Sequence, residues 1–298
     1  MNTDKTRLLL TTVFKPYGVA DGYAEAVGMQ MELFNNQITR EQGVHSPRAN
    51  YWTFPLYFLA ENVAVPATVL DFPSWGHFRR ELRKGYSHIG ISFIQTNVMK
   101  AARMAGFVRQ HFPDMKIILG GYGTMLPDID KLVPHDAICI GEGIGFLREY
   151  FGEDAAAPVR HPVLRGVASK HIYGWRAGTG GSAVLFPGLG CTNGCFFCST
   201  SAMFKRQYFA LLPDGGSVFE ACRAAEEELG VQEFAIIDEN FLKCADRARE
   251  LLAHMEAHGK AYNFSLFSSA EVITELGIDF LVRLGAAVVW IGIESERK

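Results

Sequence analysis

Short apolar runs alternate with amphipathic stretches through the first half of the chain. Residues 7–14 predict a buried strand, 56–61 a helix, 64–70 a strand, 74–84 a helix opened by Ser74, and 88–94 the next strand. From 97 to 112, Val98, Ala101, Ala105, Val108 and Phe112 fall on one helical face, which Pro113 ends. Residues 116–119 and 137–140 complete five strands. Strands that alternate with helices predict an α/β fold, here a parallel, doubly wound sheet. Between Lys15 and Trp52 the pattern is poor: a helix over 24–34 is followed by a long loop with Gly43, His45, Pro47 and Arg48.

The second half opens on residues 151–182, rich in glycine and proline, which read as a linker with one hairpin at most. Residues 183–186 predict a buried strand. Ser217-Val218-Phe219-Glu220 has the form of a capping box that opens a helix with Phe219, Cys222, Ala225 and Leu229 on one side and Gly230 at its end. A strand over 234–237 ends in Asp238-Glu239-Asn240-Phe241. The next helix carries Cys244, Ala248, Leu251 and Met255 on one face and stops at Gly259. A strand over 263–267 ends in Ser268-Ser269, and after 278–284 the run 287–293 ends in Glu294-Ser295. Cys222 and Cys244 therefore read as core residues. The expected division is a first domain over 1–150, a linker over 151–182 and a second domain over 183–298.

With 298 residues, 48% of them apolar, the chain has material for about two domains. A net charge of −3 gives no field that would recruit nucleic acid or a membrane surface. The one basic run, Arg79-Arg80-Glu81-Leu82-Arg83-Lys84, reads as the solvated face of a helix around Phe78 and Leu82. No apolar stretch reaches membrane-spanning length, and the start lacks signal-peptide form. Six cysteines in a chain of this size do not suggest a disulfide framework, which points to a reducing, cytoplasmic setting.

Three of those cysteines lie in Gly188-Leu189-Gly190-Cys191-Thr192-Asn193-Gly194-Cys195-Phe196-Phe197-Cys198, a C-x3-C-x2-C spacing in a glycine-rich loop after the 183–186 strand. Thiolates hold iron–sulfur clusters, normally one per iron, so three would leave one iron of a 4Fe–4S cluster open to another ligand. Zinc would want a fourth ligand at knuckle-like spacing. The nearest candidates, His171, Cys222 and His254, are too distant in sequence or on other elements. The stretch resembles the signature of the radical S-adenosylmethionine superfamily, including the aromatic Phe197 before the last cysteine. That resemblance implies a 4Fe–4S cluster on Cys191, Cys195 and Cys198, with S-adenosylmethionine chelating the fourth iron and yielding a 5′-deoxyadenosyl radical on reductive cleavage. It also implies an external electron donor such as a flavodoxin or ferredoxin.

In open α/β sheets ligands sit at the carboxyl ends of the strands. Here those ends read Ser92-Phe93-Ile94-Gln95-Thr96, Gly120-Gly121-Tyr122-Gly123-Thr124 and Gly141-Glu142-Gly143. Together they resemble the cobalamin-binding Rossmann-like domain over roughly residues 5–150. The resemblance implies that Ser92, Thr96, Gly120, Gly121, Tyr122, Gly123, Thr124, Gly141, Glu142 and Gly143 contact cobalamin. The Asp-x-His-x-x-Gly element that supplies a lower axial ligand in many such domains is missing: Thr12 to Gly18 contain no histidine. That is similar to the subfamily joining a cobalamin domain to a radical S-adenosylmethionine domain, whose Gly-Glu-Gly-Glu element is matched at three of four positions, Ile144 standing at the fourth. His45, in the long loop, stays open as a lower ligand, with a solvated loop histidine the preferred reading.

The second half continues the resemblance. Asp238 and Glu239 close the second strand of the series, where the family meets the amino group of S-adenosylmethionine. Ser268 closes the third, and Glu294, in Ile-Gly-Ile-Glu-Ser, stands where the family contacts the nucleoside. As helix N-terminal carboxylates, Asp238 and Glu239 also have an ordinary structural reading. The family barrel has six β/α units; about four are legible here, so the sequence reads as a C-terminally incomplete barrel. The function this implies is methylation of an unactivated carbon of a small-molecule substrate, using the cluster, S-adenosylmethionine and cobalamin. A cyclase or ring-rearranging enzyme with the same cofactors is the close alternative, and a non-catalytic cobalamin-binding module the one from another class. Methylthiolating relatives need further N-terminal cysteines, and the first 190 residues contain only Cys139.

Overall fold

A computed structural model describes residues 6–14, 53–166 and 181–293, which form two compact units, one ending at Arg160 and the other beginning at His161. The first unit is built on a five-stranded, wholly parallel sheet. Its elements are β1 (Leu8–Thr12), α1 (Phe54–Glu61), β2 (Ala67–Leu70), α2 (Trp75–Leu82), β3 (His88–Ser92), α3 (Val98–His111), β4 (Lys116–Gly120), the single turn α4 (Ile129–Leu132), β5 (Ala137–Ile138) and α5 (Gly143–Phe151). All five residues of β1 are buried. A strand apolar on both sides must be covered on both faces. One cluster, with Phe78, Leu82, Ala101 and Met104, covers one face; another, with Leu56 and Leu147, covers the other.

The strand order is β2-β1-β3-β4-β5, so the chain moves outward in opposite directions from β1 and β3. Such a reversal leaves a crevice outside the carboxyl ends of the two central strands. In register, Thr12, Ser92 and Gly120 line up at that edge.

The second unit has β6 (Leu164–Arg165), β7 (Ser182–Leu185), the hairpin partners β8 (Gly188–Gly190) and β9 (Tyr208–Ala210), and between them α6 (Ser199–Met203). Then come α7 (Gly215–Leu229), β10 (Glu233–Ile236), α8 (Ala245–Ala257), β11 (Asn263–Ser268), α9 (Ala270–Leu276), α10 (Ile278–Leu284) and β12 (Ala286–Ile291). Its main sheet is mixed, in the order β12-β11-β10-β7-β6: four parallel strands in chain sequence, with β6 antiparallel on β7. One face packs Ala183, Leu185, Phe234, Ile236, Phe264 and Leu266 against α7, α8 and α10. The other carries the aligned row Val184, Ala235, Ser265 and Val288, then the paired Phe267 and Trp290, which stack at 6.2 Å and are exposed.

The structure corrects several sequence expectations. The capping box lies three residues earlier than Ser217: Asp214 Oδ1 accepts from the Ser217 N–H at 2.7 Å, and Ser217 Oγ accepts from the Asp214 N–H at 3.3 Å. Ser217 is thus N3, because Gly215 and Gly216 occupy the first two helical positions. Within the stretch read as linker, Leu164–Arg165 adds an edge strand to β7. The hairpin, α4, α5, α6 and α9 had no counterpart in the hydrophobic pattern, and β5 stops at Ile138. Cys222 is fully buried, as expected, but Cys244 is half-buried and forms the N-cap of α8 instead of a core position.

Candidate functional site

In the second unit, β7 runs through Phe186 and Pro187 into β8. The Phe186 N–H donates to His161 Nε2 at 2.9 Å, while His161 Nδ1 bonds the Pro162 carbonyl at 2.9 Å, which fixes the neutral tautomer. Burial pushes the His161 pKa down to about 4. β8 then pairs with β9, Gly190 opposite Tyr208. Gly190 has φ +85°, and a Cβ there would lie 2.2 Å from the Gln207 carbonyl oxygen, so only glycine brings the chain into the loop at this point.

The loop begins immediately afterwards. Cys191 and Cys198 are half-buried, Cys195 is exposed, and none is in a disulfide. Burial raises the Cys191 pKa, as do the nearby Glu239 and Cys195, while the Asn193 N–H and the Lys243 ammonium oppose them. Cys198 is the N-cap of α6, and its N–H bonds the Cys195 carbonyl at 3.1 Å. The three thiols share one loop without converging: among the described residues no three His, Cys, Asp or Glu side chains gather into a metal-sized group. The donor set is nevertheless the one iron–sulfur clusters take, free thiols on a loop open to solvent. Phe196 and Phe197 stand edge-to-face at 5.3 Å, Phe196 97% exposed and Phe197 55%.

The segment after β10 holds this loop. Asp238 is buried; its carboxylate accepts from Tyr208 Oη at 2.5 Å, Arg247 Nη2 at 3.0 Å and the Asn240 N–H at 3.1 Å. Burial raises its pKa against the pull of Arg247 and those donors. Asp238 thereby ties β9 and α8 to the end of β10. Glu239 is half-buried and turned to the cysteine loop, where the Gly190 N–H and the Thr200 hydroxyl bond its carboxylate. Burial and the neighbouring Asp238 raise its pKa to about 7. Lys243 donates to Asn193 Oδ1, in the middle of the loop.

Ser268, at the end of β11, is buried and donates to Asn240 Oδ1 at 3.3 Å; Asn240 Nδ2 in turn donates to Ser269 Oγ at 3.0 Å. The ends of β7, β10 and β11 therefore gather Cys191, Glu239, Asn240 and Ser268 on one edge. Sequence reasoning missed Tyr208, Asn240, Lys243 and Arg247. Tyr208 and Arg247 carry no motif, and they matter only because β9 and α8 meet at Asp238. Glu294 lies outside the described residues, as does His45.

In the first unit the predicted residues do reach the edge beside the β1–β3 crevice, but several are engaged with the protein itself. Gly121 has φ +82°, and its Cβ would fall 2.6 Å from the Phe93 carbonyl oxygen; a Cβ on Gly123 would fall 2.2 Å from the Phe93 ring. These glycines serve the packing of two loops, with Tyr122 and Thr124 in the 3₁₀ turn Tyr122–Met125 and Thr124 Oγ1 donating to the Gly121 carbonyl at 2.8 Å. Glu142 caps α5, accepting from Ile144 N at 2.6 Å and Gly145 N at 2.7 Å, while Gly143 abuts Leu59. Gly141, with φ +97°, makes the turn before it. Gly120 faces open space, since a Cβ there would meet nothing within 4 Å, while Thr96 Oγ1, near Ser92 in sequence, is buried with no hydrogen-bond partner. A buried hydroxyl without a partner is costly and fits a polar group arriving from outside. Ser92 lies between them, at the end of β3.

No protein-family model matches the chain, and no curated protein matches it. Among the described residues, no helix is long and apolar enough to cross a membrane.

Proposed function

We propose that this chain belongs to a cobalamin-dependent radical S-adenosylmethionine enzyme that methylates an unactivated carbon of a small molecule. The observation that carries the reading is the meeting of the Cys191–Cys195–Cys198 loop with Glu239 at the carboxyl edge of consecutive parallel strands. Site residues gather at that edge when strands feed loops over a sheet. In this reading the first unit is the Rossmann-like cobalamin domain and the second a partial β/α barrel.

The three thiols would hold a 4Fe–4S cluster, which supplies the electron that cleaves bound S-adenosylmethionine. Glu239 is the acceptor suited to the ligand's ammonium group, because its carboxylate borders the loop. Asp238, committed to Arg247 and Tyr208, keeps Glu239 in place. Phe197 offers an exposed ring for the adenine. Thr96, Ser92 and Gly120 line the route of the cobalamin nucleotide tail, and cobalamin supplies a methyl group that an sp3 carbon cannot take from a sulfonium directly.

Anaerobic reconstitution with iron and sulfide tests the reading. About four irons per chain and release of 5′-deoxyadenosine from S-adenosylmethionine are expected. Cobalamin binding with no iron uptake would favour a non-catalytic cobalamin module instead.

A further inference from the structure

Cys244 leaves the N-terminus of α8 without a side-chain cap: it is the N-cap residue and makes no capping hydrogen bond. The first bond of the helix runs from the Ala248 N–H to the Cys244 carbonyl at 3.2 Å. The N–H groups of Ala245, Asp246 and Arg247 come before it, in the positions where a helix has donors and no carbonyl of its own to receive them. Serine, threonine or aspartate at the N-cap would answer one of these donors; a thiol is a weak acceptor.

A cavity of about 470 Å³ opens at this helix end, lined by Pro213, the turn from Lys243 to Arg247, Arg249 and Glu275. That is room for a small metabolite. Arg247 forms part of its wall, although its side chain is only 3% exposed. Nη1 and Nη2 of this guanidinium are engaged by Tyr208, Asp238 and the Pro187 carbonyl, but Nε is buried with no hydrogen-bond partner. A buried N–H without an acceptor is costly. Lys243 and Arg249 bring two more cations to the lining. Of the two carboxylates there, Asp246 is 94% exposed and paired with Arg249 at 3.0 Å, and Glu275, on α9, is exposed as well.

We propose that this cavity binds a phosphate group, carried by a small phosphorylated molecule or as the free ion. The uncapped amides and the positive end of the helix favour an anion. Arg247, nearly buried in the wall, adds an N–H that has no acceptor within the protein. A phosphate turns three strong acceptor oxygens in different directions, so one group can meet the helix amides and the wall together. The cavity is larger than the ion, which leaves space for the organic part of an ester. None of the lining residues is a cysteine of the 191–198 loop, so the inference does not rest on that loop holding a cluster.

Cys244 reports occupancy without any substitution. In the full chain, before iron is added, its alkylation by neutral iodoacetamide is followed peptide by peptide by mass spectrometry. The additions are inorganic phosphate, glycerol 3-phosphate, or chloride at equal ionic strength. Phosphate at about 10 mM should slow alkylation of Cys244 about fivefold or more. Exposed Cys195, outside the cavity, should react at an unchanged rate. Protection by the ester at lower concentration than by the ion assigns the cavity to a phosphorylated molecule, and equal protection assigns it to the ion. Cys244→Asp caps the helix with the chain's own carboxylate. It should raise the melting temperature in chloride and abolish the further rise that phosphate gives the wild type. Arg249→Gln should weaken protection several-fold while the chain stays folded. Alkylation of Cys244 no slower in either phosphate than in chloride overturns the proposal. So does a Cys244→Asp chain that phosphate stabilises as much as the wild type.

Discussion

Arg247 Nη2 and Asp238 Oδ2 are 3.0 Å apart, in an ion pair whose two side chains are 3% and 0% exposed. The same guanidinium donates to Tyr208 Oη at 2.8 Å through Nη1, so one cation joins α8, β9 and the end of β10. Removing one partner of a buried pair strands the other charge. Arg247→Ala should therefore destabilise the second unit by roughly 3–5 kcal/mol. Tyr208→Phe, which deletes one hydroxyl from the group, should cost about 1–3 kcal/mol. Denaturant titration followed by near-ultraviolet circular dichroism measures both, and a loss below about 1 kcal/mol for Arg247→Ala would show that the pair does not hold the site together.

Cys191→Ala, Cys195→Ala and Cys198→Ala should each abolish iron uptake, whereas Cys139→Ala and Cys222→Ala should leave it intact. Burial raises the Cys139 pKa to about 12 and that of Cys222 higher still, so neither thiol offers a thiolate. Iron and sulfide analysis of the reconstituted variants decides this, and loss of the cluster in Cys222→Ala would contradict the three-cysteine assignment.

Thr96→Val and Gly121→Ala separate a ligand contact from a packing requirement. Thr96 Oγ1 is buried without a partner, so valine should leave the free protein as stable or more stable. It should nonetheless weaken cobalamin binding several-fold. Gly121→Ala should destabilise the first unit itself, because φ is +82° and the Phe93 carbonyl blocks the Cβ. Thermal melts with and without cobalamin, alongside equilibrium dialysis, would expose the opposite pattern.

His161 gives the second unit a pH dependence of known sign. Its pKa is about 4 in the folded chain, below the ordinary 6.5, because burial favours the neutral ring. The folded state then binds fewer protons than the unfolded one between those values. Stability from this group is fully present above about 6.5 and is lost as pH falls toward 4, about 3 kcal/mol in all. His161→Gln should flatten that part of the stability profile. An unchanged slope between pH 6.5 and 4 would mean the ring is not held neutral.

Among the described residues β12 pairs only with β11, leaving its other edge free beside exposed Val288, Trp290 and Ile291. An apolar, uncharged edge templates pairing with another chain. The chain should therefore self-associate at micromolar concentration, and Val288→Lys should reduce the association. Light scattering of the two forms checks this; a monodisperse wild-type monomer would rule it out.

Much of the fold was legible in the sequence. Where apolar residues recur with the period of a helix or fill a run short enough for a buried strand, the side chains themselves demand burial. The sequence therefore placed most of the long elements to within a few residues, from β1 with its five buried positions to α8 with Ala248, Leu251 and Met255, but not α5 or α9. It also marked the cysteine loop and the acidic pair after β10, because spacing and residue type survive without coordinates. Short elements escaped it: the three-residue strands of the Gly188–Ala210 hairpin carry no period, and they exist through pairing between Leu189 and Phe209.

What each site residue touches was decided in three dimensions. Asp238 and Glu239 are neighbours of the same chemical type, yet one is buried on Arg247 and Tyr208 and the other borders Gly190 and Thr200. Successive residues at a strand end point to opposite sides, and nothing in their own identities says which side meets α8. The glycines after β4 followed the same logic. Their motif announced close approach, and tertiary packing made the approaching group Phe93 of the neighbouring strand end, while the unpaired hydroxyl fell to Thr96. Periodicity fixes which residues must leave water; only the packed chain decides which polar groups find partners and which are left to bind something else.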